Sequence, residues 1–231
     1  HINPDILLID EVLAVGDMAF QSKCLNRIRG FKEQGCAVVL VSHDIKMVED
    51  LCDEAIWLRE GQVVAKGPVD VVIGQYQAEV QAETQRRTPQ GVPAQITATG
   101  TELRINENRF GSLEMELINV RLLADNGIDT TEIMSGEGLT VEINYRTLQT
   151  ITAPIIVVTI SRKDGFICYD TSTASLGLNN ADVRGQGTVR LRLERLDLMG
   201  GEYFLDVGVF TQDWSYAYDY HWHVYPLNVT S

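Results

Sequence analysis

In the first third of the chain, short apolar runs alternate with segments that have the apolar spacing of a helix. The runs DILLI at 5–9 and CAVVLVS at 36–42 are almost continuously apolar, and each leads into a segment whose apolar residues recur every three or four positions. Short apolar strands that alternate with helices are typical of a parallel sheet covered on both faces. The pattern therefore predicts an α/β portion over residues 1–85, closed by a helix that Gly67-Pro68 opens, with Pro68 at the first helical position.

A polar stretch separates this portion from the rest of the chain. Residues 81–100 contain no aromatic side chain, two prolines and few large apolar side chains. A segment of this composition cannot bury enough apolar surface to offset the entropy that is lost on ordering. We therefore predict that residues 86–100 form a linker between two domains.

Beyond residue 101, apolar and polar residues alternate one by one. LTVEINY at 139–145 and TVRLRLE at 188–194 are the clearest examples, and this alternation is typical of antiparallel strands with one buried and one wet face. Within residues 112–123 the alternation changes phase, which predicts a β-bulge near Asn119. With about seven or eight such segments and no helical pattern, residues 101–231 are predicted to form an all-β, immunoglobulin-like antiparallel sandwich.

Composition narrows the classes of function. The 231 residues carry a formal net charge of −13. Sequence-independent binding to nucleic acid or to an anionic membrane depends on excess Lys and Arg, so nucleic acid is not an expected partner. The spacing of the cysteines predicts neither a metal site nor a disulfide framework, and this fits a reducing cytoplasm. The four are Cys24, Cys36, Cys52 and Cys168. The longest apolar runs fall far short of the ~20 residues that cross a bilayer.

Two acidic residues stand at the end of the first predicted strand. Asp10 and Glu11 follow Ile9 directly, at the carboxyl edge where open parallel sheets bind ligands. One carboxylate there can hold Mg²⁺ beside nucleotide phosphates, and a second can accept a proton from an attacking water. The alternative is a strand that ends in a polar turn. Asp17, soon after this pair, and His43, at the end of the second apolar run, favour the first interpretation.

Three motifs in this portion resemble those of ABC-type ATPases. ILLIDE at 6–11 resembles a Walker B strand, AVGD at 14–17 resembles a D-loop, and VSHD at 41–44 resembles the segment that carries the switch histidine. More narrowly, DEVLAVGDMAFQSKC at 10–24 is similar to the ATP-binding subunits of bacterial exporters of O-antigen and related polysaccharides. The expected fold of residues 1–85 is therefore the carboxyl-terminal part of an ABC nucleotide-binding domain.

The resemblance implies a role for each matching residue. Asp10 would help to position Mg²⁺, and Glu11 would polarise the hydrolytic water. His43 would contact the γ-phosphate region of ATP, and Asp17 would lie at the seam between two nucleotide-binding domains. No G-x-x-x-x-G-K-[ST] phosphate loop and no LSGGQ-type signature occurs in the sequence. We therefore expect the carboxyl-terminal portion of a longer ATPase, inactive by itself, with ATP and Mg²⁺ used by the full-length protein.

Aromatic residues are concentrated near the end of the chain, in DWSYAYDYHWHVY at 213–225. Aromatic rings can cover the C–H faces of sugars while neighbouring polar groups hydrogen-bond their hydroxyls. The candidate carbohydrate-binding residues are Trp214, Tyr216, Tyr218, Asp219, Tyr220 and Trp222. On an extended strand, Tyr216, Tyr218, Tyr220 and Trp222 would share one face, and Asp219, His221 and His223 the other.

Two other interpretations of this stretch stay open. The aromatic residues could form the core of the sandwich or a dimer seam, since aromatic side chains dominate burial in both. Asp219, His221 and His223 alternate with strand period, and imidazole with carboxylate suits Zn²⁺, so a metal site on a wet strand face is the second alternative.

Taken together, the order of the segments resembles Wzt-like exporter subunits, in which a carboxyl-terminal sandwich recognises the polysaccharide. The resemblance implies an ATP-binding subunit that forms a homodimer, acts with a separate ABC permease on a lipid-linked polysaccharide, and lies at the cytoplasmic face of the cell membrane through that permease. One rival hypothesis is a carbohydrate-binding and dimerisation module with an inert ABC remnant. Another is a sandwich that docks a protein partner.

Overall fold

The computed structural model describes residues 4–10, 18–42, 45–178 and 181–231. The chain forms two compact units, one of residues 1–79 with 175–177 and one of residues 80–174 with 178–231. None of the helices among the described residues is long and apolar enough to cross a membrane.

The described residues of the first unit form two helices, four strands and the start of a third helix. In chain order these are β1 (Ile6–Asp10), α1 (Met18–Glu33), β2 (Ala37–Val41), α2 (Ile45–Leu51), β3 (Glu54–Arg59), β4 (Gln62–Pro68) and α3 (Val69–Arg87). Strands β1 and β2 pair in parallel, with Ile6 opposite Ala37, and β3 pairs with β4 as an antiparallel hairpin. The predicted alternation of strands and helices is therefore present in this unit.

Only one face of the β1–β2 pair is covered in the described part of the chain. Ile9 packs with Ile28 of α1 and Leu51 of α2, so both helices lie on the same side of the two strands. On the other side, the apolar residues are at least half exposed, namely Ile6, Leu8, Val39 and Val41. The prediction of a sheet covered on both faces is therefore not met by the described residues, because α1 and α2 share one face.

The second unit is built almost entirely of antiparallel strands. They are β5 (Gln95–Ile96), β6 (Glu102–Leu103), β7 (Arg109–Phe110), β8 (Met115–Leu123), β9 (Glu132–Met134), β10 (Leu139–Ile151), β11 (Ile155–Arg162), β12 (Ile167–Ser172), β13 (Val183–Leu193), β14 (Gly201–Phe210) and β15 (Ala217–Thr230). One sheet has the order β13-β10-β8, and the larger sheet has the order β12-β11-β14-β15-β7 with β9 paired in parallel to β15.

The core of this unit lies between the two sheets. Val141 and Ile143 of β10 pack in one cluster with Ile160 of β11 and Leu205 and Val207 of β14, and all five are buried. These residues are spaced by two along their strands, as the one-by-one alternation predicts. The predicted bulge is also present, since the pairing of β10 with β8 shifts at Asn119.

The polar stretch after the first unit is more ordered than its composition suggests. Helix α3 continues to Arg87, and β5 and β6 form a hairpin, so ordered elements extend into the predicted linker 86–100. Thr84 and Thr88 are each only 7% exposed. Their hydroxyls accept hydrogen bonds from the backbone N–H of Ala217 at 3.0 Å and of Gly111 at 2.9 Å. These hydrogen bonds help to order the segment, and composition does not reveal them.

Candidate functional site

The outer face of the larger sheet carries a row of acidic and hydroxyl side chains. In the strand register, Asp206 of β14 lies opposite Thr159 of β11, and Thr159 lies opposite Asp170 of β12. Paired residues of neighbouring strands point to the same face, and this face is the outer one because Leu205 and Val207, on either side of Asp206, point into the core. The Thr159 hydroxyl donates a hydrogen bond to Asp170 Oδ1 at 2.8 Å. We call Asp206, Thr159 and Asp170 the polar row.

Aromatic side chains border the polar row on its first side. Phe210 lies with its ring centroid 5.4 Å from that of Trp214 and 6.1 Å from that of Tyr220. Gly208 lies opposite Tyr220 in the register, and a Cβ at Gly208 would come within 2.8 Å of ring atoms of both Tyr220 and Phe210. The glycine therefore lets the two rings lie close to the sheet.

A second aromatic group borders the polar row on the opposite side. The His223 ring stacks on Phe204, with centroids 4.9 Å and planes 16° apart, and on Trp222, with centroids 4.6 Å and planes 22° apart. The His223 Nε2 atom is 3.3 Å from the Ser161 hydroxyl. Trp222 keeps 46% of its surface exposed. We call the polar row and its two aromatic borders the aromatic face.

A β-bulge in β15 brings His223 to this face. Leu205 pairs with Tyr225 and Val207 pairs with His221, so residues 222–224 of β15 lie opposite Asp206 alone. His223 has a φ of 54°, a left-handed value that is uncommon for a residue other than glycine. Its backbone N–H donates a hydrogen bond to Asp206 Oδ1 at 2.5 Å. Bulges re-aim side chains in this way and are frequent beside functional sites.

Burial changes the ionisation of two groups on this face. Burial raises the pKa of Asp206, although the His223 N–H and charge lower it in part. Burial also raises the pKa of Tyr220, and the charges of Asp206 and Asp170 add to that effect. Tyr220 therefore keeps its phenolic proton as a hydrogen-bond donor at neutral pH.

Of the six candidate carbohydrate-binding residues, Trp214, Tyr220 and Trp222 lie on the aromatic face, and Tyr216 and Tyr218 do not. Tyr218 is buried in the core cluster and meets Tyr216 edge to face, with centroids 5.5 Å apart. The Arg87 guanidinium lies 4.0 Å from the centroid of the Tyr216 ring, and the Tyr216 hydroxyl donates to Glu114 at 3.0 Å. Burial, followed by the bond to Glu114, raises the pKa of Tyr216 to about 12.

Asp219 and His221 lie inside the sandwich, so the prediction of a wet face for them is wrong. Asp219 is fully buried and accepts two hydrogen bonds from Arg109, at 2.9 Å and 2.6 Å, and one from the Leu117 N–H at 2.9 Å. His221 Nε2 is 3.3 Å from Asp219 Oδ1, and His221 Nδ1 is 2.6 Å from the Tyr225 hydroxyl. An ion pair explains this burial, because a charge inside a protein needs a partner.

The structure also argues against the zinc site, because its three candidate ligands do not lie on one face. Asp219 and His221 point into the sandwich, whereas the bulge places His223 on the aromatic face. Among the described residues, no group of three or more His, Cys, Asp or Glu side chains could hold a metal ion. Burial by itself would raise the pKa of Asp219, but the neighbouring His221 and Arg109 outweigh it and hold the pKa below its usual range.

In the first unit, the structure describes only one of the four residues that the ATPase resemblance singles out. Asp10 ends β1 opposite Val41, and its side chain is exposed. Glu11, Asp17 and His43 lie outside the described residues.

Sequence reasoning missed Phe204, Asp206 and Phe210, which supply one strand of the aromatic face. Their signal is present in FLDVGVF at 204–210, where an acid and a glycine alternate with apolar residues in a strand. Thr159 and Asp170 carry no comparable signal, because only the strand register brings them beside Asp206.

Comparisons with known proteins agree with this architecture. The chain is 32% identical over 211 residues to the O-antigen export system ATP-binding protein RfbB of Myxococcus xanthus, which covers 90% of this chain and 48% of that protein. It is 46% identical over 76 residues to the teichoic acids export ATP-binding protein TagH of Bacillus anthracis, covering 33% of this chain and 14% of that protein. The chain thus spans about half of the first relative and a small part of the second.

The fold of the second unit has a solved counterpart. A crystal structure of the C-terminal domain of wzt matches with a TM-score of 0.50 and 22% identity, over 55% of this chain and 80% of that one. The family model described as the Wzt C-terminal domain matches residues 106–231, which is more than half of the chain. The chain therefore belongs to the family of the Wzt C-terminal domain.

Proposed function

We propose that this chain is part of the ATP-binding subunit of an ABC transporter that exports lipid-linked O-antigen or a related polysaccharide, and that its second unit recognises the polysaccharide. The observation that carries the proposal is the aromatic face, where two aromatic groups border a row of hydrogen-bonding side chains. The similarity to export ATP-binding proteins supports the choice of a glycan as ligand.

On the aromatic face, each type of side chain has a separate task. The rings of Trp214, Tyr220 and Trp222 would cover the C–H faces of sugar rings. Oxygen atoms of Asp206 and Asp170 would accept hydrogen bonds from sugar hydroxyls, which fixes the orientation of the sugar.

The other three candidate residues would support this face from within. Tyr216 contacts Arg87 and Glu114, Tyr218 packs in the core cluster against Tyr216, and Asp219 is paired with Arg109. These contacts would hold the first half of β15 in place. In this proposal the three residues position the strand and do not contact the sugar.

The ATPase part of the proposal rests on the motifs of the first unit. In the full-length protein, Asp10 would hold Mg²⁺ beside the phosphates of ATP, and its exposed position at the carboxyl end of a parallel strand fits this role. Mg²⁺ supplies charge neutralisation during phosphoryl transfer. Glu11 would polarise the water, His43 would contact the γ-phosphate region, and Asp17 would face a second copy in a homodimer. A separate permease would hold the assembly at the cytoplasmic face of the cell membrane.

Glycan binding by the full chain tests the proposal. We expect saturable binding to oligosaccharides on an array of bacterial O-antigen and teichoic acid glycans, followed by calorimetry with the best binder. Trp222→Ala removes an exposed ring of the aromatic face and should weaken binding by about tenfold, the usual effect of losing one aromatic contact of about 1.4 kcal/mol.

A matched control separates the site from general effects on the surface. Phe166 is 61% exposed in the turn between β11 and β12, and Phe166→Ala should leave the affinity unchanged. Circular dichroism should show both variants folded. Absence of binding to every glycan at millimolar concentration would overturn the proposal and leave the aromatic face as a surface for docking a protein.

A further inference from the structure

We propose that Asp206 and Asp170 determine the charge class of the bound sugar, so that the aromatic face binds uncharged sugar units and excludes units that carry a carboxylate or a phosphate. This inference rests on the proposed function and makes it more specific. It concerns the type of glycan that is recognised, whereas the proposed function concerns glycan binding itself.

The geometry of the polar row supports this specificity. Asp206 and Asp170 flank Thr159 in the register. Two of the three neighbouring side chains in the polar row are therefore carboxylates. The Thr159 hydroxyl already donates its proton to Asp170. The row therefore presents hydrogen-bond acceptors to a ligand, and the ligand has to supply the donors.

Uncharged sugars meet this requirement and anionic sugars do not. A sugar hydroxyl donates one hydrogen bond, whereas an ionised carboxylate or phosphate only accepts. An anionic group on the row would also lie beside two acidic side chains, the buried Asp206 and the exposed Asp170, and like charges repel.

Two basic side chains at this end of the sheet, His223 and Arg162, already have partners. The His223 ring lies between Phe204 and Trp222, and its backbone N–H is bonded to Asp206. Arg162, at the end of β11, is paired with Asp164 and lies over the ring of Phe166. Neither group is placed to pair with an anionic ligand on the polar row without giving up its present contacts.

Matched pairs of oligosaccharides test the inference directly. Each pair differs only at C6, where one member has a hydroxymethyl group and the other a carboxylate, as in glucose and glucuronic acid, galactose and galacturonic acid, and mannose and mannuronic acid. With the full chain at low ionic strength, we expect the uncharged member of any pair that binds to bind at least about tenfold more tightly.

Substitutions that remove charge but keep shape should abolish this preference. Asp206→Asn keeps an oxygen for the His223 N–H, so the bulge should persist, and Asp170→Asn changes an exposed side chain. Each variant should reduce the preference severalfold, and the double variant should bring the two members of a pair close to equal affinity. Asp129→Asn, which neutralises an exposed acid paired with Arg121 of β8 in the smaller sheet, should leave the preference unchanged.

The outcomes separate the inference from the proposed function. Equal binding of the two members, or tighter binding of the anionic member, would overturn the charge selection while glycan recognition stands. A preference that survives the double variant would also overturn it, because the selection would then come from other residues. Absence of binding to every glycan would overturn both.

Discussion

Arg109 and Asp219 form an ion pair inside the sandwich, with their side chains 2% and 0% exposed. The carboxylate also accepts the Leu117 N–H, and Arg109 Nη1 donates to Gln95 Oε1 at 3.1 Å. Burying two charges is costly, and the cost is offset only when their hydrogen bonds are satisfied. The pair therefore joins β7 and β15 of the larger sheet to β8 of the smaller sheet.

Asp219→Asn tests the energetic weight of this pair. The change keeps the size of the side chain but leaves the guanidinium of Arg109 with the more distant carboxylate of Glu116, 3.6 Å away, as its counter-charge. We therefore expect the free energy of unfolding to fall by about 3–5 kcal/mol. Urea denaturation of the full chain, followed by circular dichroism, measures the effect.

Asp164→Asn is the control, since it breaks an exposed pair with Arg162 and should change stability little. If both variants lost the same small amount of stability, the interior pair would contribute no more than a surface pair.

At the scale of elements, regular alternation was predictable and its interruption was not. In β10 the one-by-one pattern places Val141 and Ile143 in the core, as the structure shows. In β15 the same rule puts Asp219, His221 and His223 on one face, but the bulge at residues 222–224 moves His223 to the opposite face. The bulge depends on backbone contacts with Asp206, which no periodicity in β15 can reveal.

Turn residues predict where the chain reverses, but they do not predict which strands the turn connects. The Lys163–Gly165 turn closes a hairpin between β11 and β12, as its residues predict. The turn at residues 199–202 also contains glycines, Gly200 and Gly201, but it joins β13 of the smaller sheet to β14 of the larger one. Glycines permit a reversal of the chain, and the choice of sheet is decided by long-range packing.

The end of α3 provides a test at the same scale. Thr84→Val and Thr88→Val keep the shape of each side chain but remove the acceptor of a buried backbone N–H. An unsatisfied buried donor costs about 1–3 kcal/mol, so each variant should lose that amount of stability.

Amide hydrogen exchange can locate the effect of each variant. The Ala217 amide should lose protection in Thr84→Val, and the Gly111 amide should lose it in Thr88→Val. Unchanged protection of both amides would show that the two hydroxyls do not hold the strands. The Val141 amide, in the centre of the smaller sheet, serves as an internal reference.

For the whole molecule, acid is expected to be destabilising. Asp219 has a lowered pKa for the reasons given above, and hydrogen bonding by Arg190 lowers the pKa of Glu142. A group whose pKa is lowered on folding stabilises the protein above its unfolded pKa, near 4, and loses that contribution as the pH falls through its folded pKa.

We therefore expect the free energy of unfolding to decline below about pH 4, as measured by urea denaturation across a series of pH values. Asp219→Asn should flatten this decline. Asp206 acts in the opposite direction, because its raised pKa makes protonation favourable to the folded state. A decline of the same steepness in wild type and Asp219→Asn would contradict the assignment.

Helix α3 also determines where the protein can be divided for separate study. A fragment that starts at residue 106, where the family match begins, would lack the Thr84 and Thr88 hydroxyls that accept the Ala217 and Gly111 amides. It would also lack Gln95, the partner of the buried Arg109. Three polar groups of its strands would thus lose a hydrogen-bond partner, namely the Ala217 N–H, the Gly111 N–H and Arg109 Nη1. A fragment that starts at residue 80 keeps all three partners, so the last turns of the helix belong with the sandwich in any fragment made to test it.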